Sequence, residues 1–327
     1  MELVEKMLAG DVLSLARLIS VVERDNTEVP AIMKNIYSHL GKAFCIGITG
    51  PPGAGKSTIV DRLTTVIRKQ GKTVGIICAD PSSPFTGGAV LGDRIRMQQH
   101  YLDKGVFIRS MATRGSQGGL PQSTGNVVKL LSAFGKDIVL VETVGVGQTE
   151  LDIMQNVDTT LVILTPESGD TIQAMKAGLF EIADIFIVNK ADRSGSDNLM
   201  AELANMVELH ADHGNWHIPV LATEAIADKG INELYEYIEK HQQLQEATGQ
   251  LLQRRREQRR QELLKIIESR IMKQLLKRVQ ENRELSKYIT LVETSEIDPF
   301  SAAEEILDSG VFSANSITGS MTETKKS

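Results

Sequence analysis

Lys56 and Ser57 close the run Gly50-Pro51-Pro52-Gly53-Ala54-Gly55-Lys56-Ser57, which has the composition and spacing of a phosphate-binding loop, and Thr58 carries it into a helix. The glycines let backbone N–H groups turn inward around phosphate oxygens, the lysine reaches the terminal phosphates, and the serine hydroxyl serves Mg²⁺. Farther along, Asn189-Lys190-Ala191-Asp192 has the form of a guanine-reading tetrapeptide. Its aspartate can accept from guanine N1–H and the 2-amino group together while Asn189 faces the N7/O6 edge, and adenine would leave the carboxylate unpaired. Together the two motifs predict GTP and GDP as ligands and transfer of a phosphoryl group to water.

Three carboxylates are candidates for the accompanying metal and hydrolytic chemistry. Glu142 ends the apolar run from Asp137 and stands three residues before Gly145, where phosphate-loop proteins carry the acid that supports Mg²⁺. Gly145 is then the N–H donor to the γ-phosphate, and the Gly-Val-Gly that begins there has the freedom to rearrange when that phosphate leaves. Asp80 follows the run 73–79, and Asp93 heads Arg94-Ile95-Arg96-Met97. Both supply oxygen donors suited to Mg²⁺, directly or through its waters; a loop acid and a helix N-cap are their plainer readings. The expected catalytic set is Lys56, Asp80, Asp93 and Glu142, and the expected metal set is Ser57 with the same three acids. Gln148 does not fall where a water-orienting glutamine stands, because Val146 directly follows Gly145. Slow intrinsic hydrolysis is the consequence, with a positioning gap that a partner fills.

These groups need a frame that brings strand ends together. Apolar runs at 43–49, 73–79, 106–109, 137–142, 159–164, 184–188 and 218–222 alternate with helical segments, the pattern of an α/β fold with a largely parallel sheet covered by helices on both faces. Ligands in such folds sit at the carboxyl ends of the strands. Residues 1–40 carry apolar positions at helical spacing, including Leu3, Met7, Leu15, Leu18, Ile19, Ile32 and Ile36. The expected parts are an N-terminal helical extension at 1–40, a P-loop GTPase domain at 41–246, a C-terminal helical arm at 247–308 and a disordered tail at 309–327. In the arm, Leu263, Leu264, Ile267, Ile271, Leu275 and Val279 form an apolar stripe that requires a cover, either the core or another subunit. The arginines between Arg254 and Arg260 read as a solvated helix face, with an acidic partner as the alternative.

Composition excludes several function classes. The 327 residues carry a formal charge of −6, which leaves no overall electrostatic footprint for nucleic acid. No apolar segment approaches the roughly eighteen residues of a membrane span, and the start Met1-Glu2-Leu3-Val4-Glu5 is too acidic for a targeting peptide, so the expected compartment is the cytoplasm. Cys45 and Cys78 lie in apolar runs and read as core residues. His210, His213 and His217 read as a helix end with its turn rather than as metal ligands.

Beyond the common motifs, Asp80-Pro81-Ser82-Ser83-Pro84, Met111-Ala112-Thr113-Arg114-Gly115 and Glu142-Thr143-Val144-Gly145-Val146-Gly147-Gln148 closely resemble the MeaB/ArgK family, the G proteins associated with methylmalonyl-CoA mutase. The resemblance spans the G domain and reaches the first helix through Ala16-Arg17-Leu18-Ile19. It implies a homodimeric GTPase, joined through its C-terminal helices, that escorts an adenosylcobalamin-dependent acyl-CoA mutase, gating cofactor loading and protecting or reactivating the enzyme. The segment from Pro166 to Lys176 is similar to the family's third switch, with Asp170 and Lys176 as charged candidates. One departure stands at Glu224-Ala225, where the family usually has Ser-Ala behind the guanine. A nickel-delivery GTPase and a kinase are the rival readings. The chain has no CxxC or His-rich tract for the first and no recognisable acceptor site for the second.

Overall fold

The computed structural model describes residues 2–24, 27–80, 97–112, 123–145, 157–168, 180–209 and 215–311. Among them, β1 Phe44–Thr49, β2 Val74–Asp80, β3 Val106–Ala112, β4 Ile138–Glu142, β5 Thr159–Leu164, β6 Ile185–Asn189 and β7 Val220–Thr223 form one sheet. All pairings are parallel, in the order β3-β2-β4-β1-β5-β6-β7. Central strands of such a sheet have no solvent face, which is why β1, β4, β5 and β6 are mainly apolar and buried throughout. Each strand coincides with a run predicted from sequence; the largest difference is at β3, which continues past Arg109 to Ala112.

Alternating side chains of the strands supply two cores. Ile46, Ile48, Ile76 and Leu140 pack against α4 Lys56–Lys69 and α7 Ile231–Thr248 through Ile59, Leu63, Leu234 and Ile238. On the opposite face, Cys45, Ile77, Val139 and Val141 meet the N-terminal helices α1 Glu2–Leu8, α2 Val12–Glu23 and α3 Val29–Ile36, together with α5 Thr124–Ala133. The N-terminal segment therefore supplies much of one layer, and burying Leu15, Leu18 and Ile19 of α2 contributes about 1.5–3 kcal/mol each. Asp11 caps α2 by accepting from the Ser14 N–H at 2.9 Å. Helix α6 Ser196–Leu209 completes the layer beside β6 through Leu199, Leu203 and Val207.

Helix α8, Gln250–Glu281, carries the boundary between two compact units, the first ending at Arg256 and the second beginning at Glu257. At its start, Arg254 and Arg255 correct the reading of the arginine cluster as a solvated face. The Arg255 guanidinium clamps both carboxylate oxygens of Asp158 at 2.8 and 2.7 Å and donates to the Gly41 and Ala43 carbonyls. Arg254 donates to Asp184 at 3.2 Å and to the Asp158 carbonyl at 2.9 Å. The second unit holds the rest of α8 with α9 Arg283–Glu293 and α10 Pro299–Ile306, whose first turns are capped by Asn282 and Asp298. Leu263, Leu264, Ile267 and Ile271 are exposed. Among the described residues no helix is long and apolar enough to cross a membrane. Both cysteines are buried and neither is in a disulfide, and burial pushes the Cys45 thiol far up.

Candidate active site

The loop from Gly50 to Gly55 joins the end of β1 to the start of α4, beside the point where the strand order turns away in both directions from β1. Ala54 N–H donates to the Pro51 carbonyl at 3.2 Å and Ile59 N–H to Gly55 at 3.0 Å, which sets the turn into the helix. Lys56 is buried, and its ammonium donates to the carbonyls of Gly50 at 2.8 Å, Pro51 at 3.1 Å and Val144 at 3.2 Å. Ser57 Oγ donates to Glu142 Oε1 at 2.7 Å, so the hydroxyl and the carboxylate expected at the metal meet in a buried pair. Cys78, one strand over on β2, lies with its Sγ 3.8 Å from the other carboxylate oxygen. The sequence gives no local signal for that neighbour, because register rather than spacing pairs Cys78 with Glu142.

The chain leaving β4 is laid against the loop. Thr143 donates its N–H to Ile48 at 3.0 Å and its hydroxyl to Thr49 Oγ1 at 3.1 Å. At Gly145, φ is +104°, and a Cβ there would stand 2.3 Å from the Gly50 carbonyl oxygen and 2.8 Å from Lys56 Nζ. Only glycine fits this approach.

Asn189 ends β6 and joins three segments. Its Nδ2 donates to the Ala54 carbonyl at 2.8 Å, while its Oδ1 accepts from Thr223 Oγ1 at 3.1 Å and from the Ala225 N–H at 3.2 Å. The amide expected to face the base edge is thus a brace between the phosphate loop and the turn after β7. Gly55 yields to it: with φ +93°, a Cβ would come within 2.3 Å of Asn189 Nδ2. Lys190 adopts a left-handed conformation at φ +58°, Ala191 N–H donates to the Thr223 carbonyl at 3.1 Å, and Asp192 is exposed at the rim. Glu224, the departure noted above, is held by Lys229 at 2.9 Å and turns its carboxylate to that partner. Arg193 pairs with Glu167 in the short turn Pro166–Ser168, and the hydrogen bond from Arg193 draws the Glu167 carboxyl down to about 2.

Asp80 closes β2 opposite Ala112, but its side chain is outside the described residues, as are Asp93, Pro81 to Pro84, Thr113 to Gly115, Val146 to Gln148, Asp170, Lys176, His210 and His213. Among the described residues no group of three or more His, Cys, Asp and Glu side chains is assembled for a metal.

A parallel sheet with a phosphate loop at its central strand, a buried lysine, serine and acid, and a braced Asn-Lys-Ala-Asp turn define the class of P-loop GTPases. Comparison with known proteins resolves the family. The profile of the methylmalonyl Co-A mutase-associated GTPase MeaB matches residues 15–281. A Pyrococcus abyssi chain with a provisional GTPase designation is 48% identical over 309 residues, covering 94% of this chain and 95% of that one. GTPase ArgK of Escherichia coli K12 is 31% identical over 307 residues, covering 91% and 92%. The mitochondrial methylmalonic aciduria type A homolog of Mus musculus is 32% identical over 233 residues, covering 70% of this chain and 56% of the mouse protein. Among solved structures, an LAO/AO transport system kinase superposes with a TM-score of 0.71 at 25% identity, covering 94% and 96%. The chain belongs to the MeaB/ArgK family of methylmalonyl-CoA mutase-associated GTPases, and it is a guanine-nucleotide-binding GTPase.

Proposed function

We propose that this GTPase is a cytoplasmic G-protein chaperone of an adenosylcobalamin-dependent acyl-CoA mutase of the methylmalonyl-CoA mutase type, using GTP to time cofactor loading and to protect or reactivate the enzyme. The supporting observation is the approach of Gly145 to the Gly50 carbonyl and Lys56 Nζ. Chain leaving β4 rests on the phosphate loop, so a change in bound phosphate must be felt by that chain, which is how a GTPase reports its state to a partner.

Within this reading, Lys56 holds the terminal phosphates, the Gly145 N–H meets the γ-phosphate, Asp192 and the turn braced by Asn189 select guanine, and Ala225 backs the base. The Ser57 and Glu142 oxygens, buried and 2.7 Å apart, are hard donors of the kind Mg²⁺ takes, so the residues fit that ion. Ser57, Glu142, Asp80 and Asp93 would hold it, and it would supply neutralisation of charge on the phosphate oxygens. Glu142 orients the Ser57 hydroxyl, and Lys56 is kept on the loop by three carbonyls until phosphate oxygens replace them. The C-terminal arm pairs two subunits through Leu263, Leu264, Ile267 and Ile271.

The test mixes the protein with cobalamin-dependent acyl-CoA mutases and follows complex formation, GTP turnover and adenosylcobalamin loading. A complex whose affinity depends on nucleotide, together with faster hydrolysis, is expected, because coupling between sites is reciprocal. Absence of any complex or rate change, alongside nickel binding or phosphate transfer to another protein, would overturn the reading.

A further inference from the structure

Helix α2 and β3 border a groove of about 460 Å³ at the edge of the sheet, three strand positions from β1. Leu13, Ala16, Ser20 and Val21 line it, with Arg17, Arg24 and Arg109 around them. The helical contributors recur at three- and four-residue spacing and so form one stripe, turned away from Leu15, Leu18, Ile19 and Val22 in the core. A helix with one buried face ordinarily gives water a polar one; here Leu13, in the groove lining, is 62% exposed, and its chain neighbour Val12 is 53% exposed.

The three arginines are not equivalent. Arg109 is neutralised by Glu23 and donates to Ser20 Oγ at 3.1 Å, which fixes the groove wall. Arg17 and Arg24 form no ion pair or side-chain hydrogen bond with the described residues, and both are exposed. They stand seven residues apart, two turns of helix or about 10.5 Å along the axis. Two cations without an ion pair among the described residues, bracketing short aliphatic side chains on a chain of net charge −6, form a local inversion of charge that selects an acidic partner. An open furrow of this length suits a helix laid along it better than a small anion, which binds in enclosed pockets.

We infer that this groove docks an amphipathic helix of the partner protein, one that carries acidic residues two turns apart with small apolar residues between them. The inference rests on the proposed function for the identity of that protein, the mutase. Its test measures binding of the GTP-loaded full chain to the mutase as wild type, as R17E/R24E and as L13D. Charge reversal should weaken binding about tenfold or more, mainly in the association rate, and flatten its salt dependence. L13D should weaken binding while leaving the salt dependence steep, and basal GTP turnover should be unchanged in both variants. A wild-type chain that binds no mutase overturns the functional reading and the inference with it. A wild-type chain that binds, with R17E/R24E binding equally well, overturns the inference alone. Loss of self-association or of coenzyme A binding in R17E/R24E, with mutase affinity intact, would reassign the groove to a second copy or to an anion and likewise overturn it.

Discussion

Asn189 donates its side-chain N–H to the Ala54 carbonyl at 2.8 Å across 135 residues of sequence. That bond makes the turn after β6 and the phosphate loop a single hydrogen-bonded unit, with Thr223 and Ala225 on the other end of the same amide. Asn189→Ala removes all three bonds and strands buried partners, at about 1–3 kcal/mol for a buried polar group left unsatisfied. The expected outcome is weaker affinity for GTP, GDP and ATP alike, together with a lower melting temperature. Asp192→Asn should instead leave stability unchanged and shift preference from guanine to xanthine nucleotide. Calorimetry with the three bases separates the two, and an Asn189→Ala protein with wild-type stability would defeat the brace.

The Ser57–Glu142 pair predicts a split between binding and turnover. Glu142→Gln keeps the volume and an acceptor for the Ser57 hydroxyl but loses the charge. Nucleotide affinity should change little while single-turnover hydrolysis falls by about 10²–10³, the usual cost of a lost electrostatic group in a site of this kind. Wild-type cleavage by this variant would remove Glu142 from the mechanism.

His100 gives the fold a pH dependence of known sign. Its Nε2 lies 3.1 Å from the Asp61 carbonyl and 3.2 Å from Asp61 Oδ1, and Gln99 donates to Oδ2 of the same carboxylate at 2.7 Å. Burial works against the charge on His100, but the hydrogen bonds to Asp61 outweigh it, aided by Asp103, and its pKa stands above the ordinary 6.5. A raised folded value means stabilisation fully present below about 6.5 and lost as pH climbs through the folded pKa. Thermal melts across that window should show the decline, and His100→Gln should flatten it.

Arg255→Ala should be among the most destabilising single changes in the first unit. Asp158 has a side chain only 3% exposed, and removal of the Arg255 guanidinium leaves a buried carboxylate whose one remaining hydrogen bond among the described residues is from the Cys45 N–H at 2.8 Å. Breaking a buried pair from one side costs about 3–5 kcal/mol. Denaturant melts should recover part of the loss in an Asp158→Asn/Arg255→Met double variant.

Cutting the chain after Arg256 leaves that anchor in place and removes the exposed stripe of α8. The shortened protein should bind GTP as a monomer. Light scattering that still reports a dimer would put the subunit contact on the G domain.

Most of the sheet and the phosphate loop were legible in sequence because buried parallel strands and glycine-rich turns are written in consecutive residues. The brace at Asn189 was not, since its partner lies on a loop made adjacent only by the strand order. Arg254 and Arg255 were misread for the same reason: local charge pattern suggests solvent, whereas Asp184 and Asp158 are 70 and 97 residues away. Helices α1 to α3 read as a preface, although their leucines and isoleucines cover the sheet face that alternates with the one under α4 and α7. Periodicity tells which face of a helix is apolar and says nothing of which sheet it will cover.

Gly55 and Gly145 are held to glycine by the polypeptide itself, the one by an asparagine amide and the other by a backbone carbonyl oxygen. A descendant that abandoned turnover would therefore keep both for as long as it kept the fold, while Lys56 and Glu142 became free to drift. In judging whether a distant relative is still active, the glycines are mute witnesses, and the testimony belongs to the lysine and the acid.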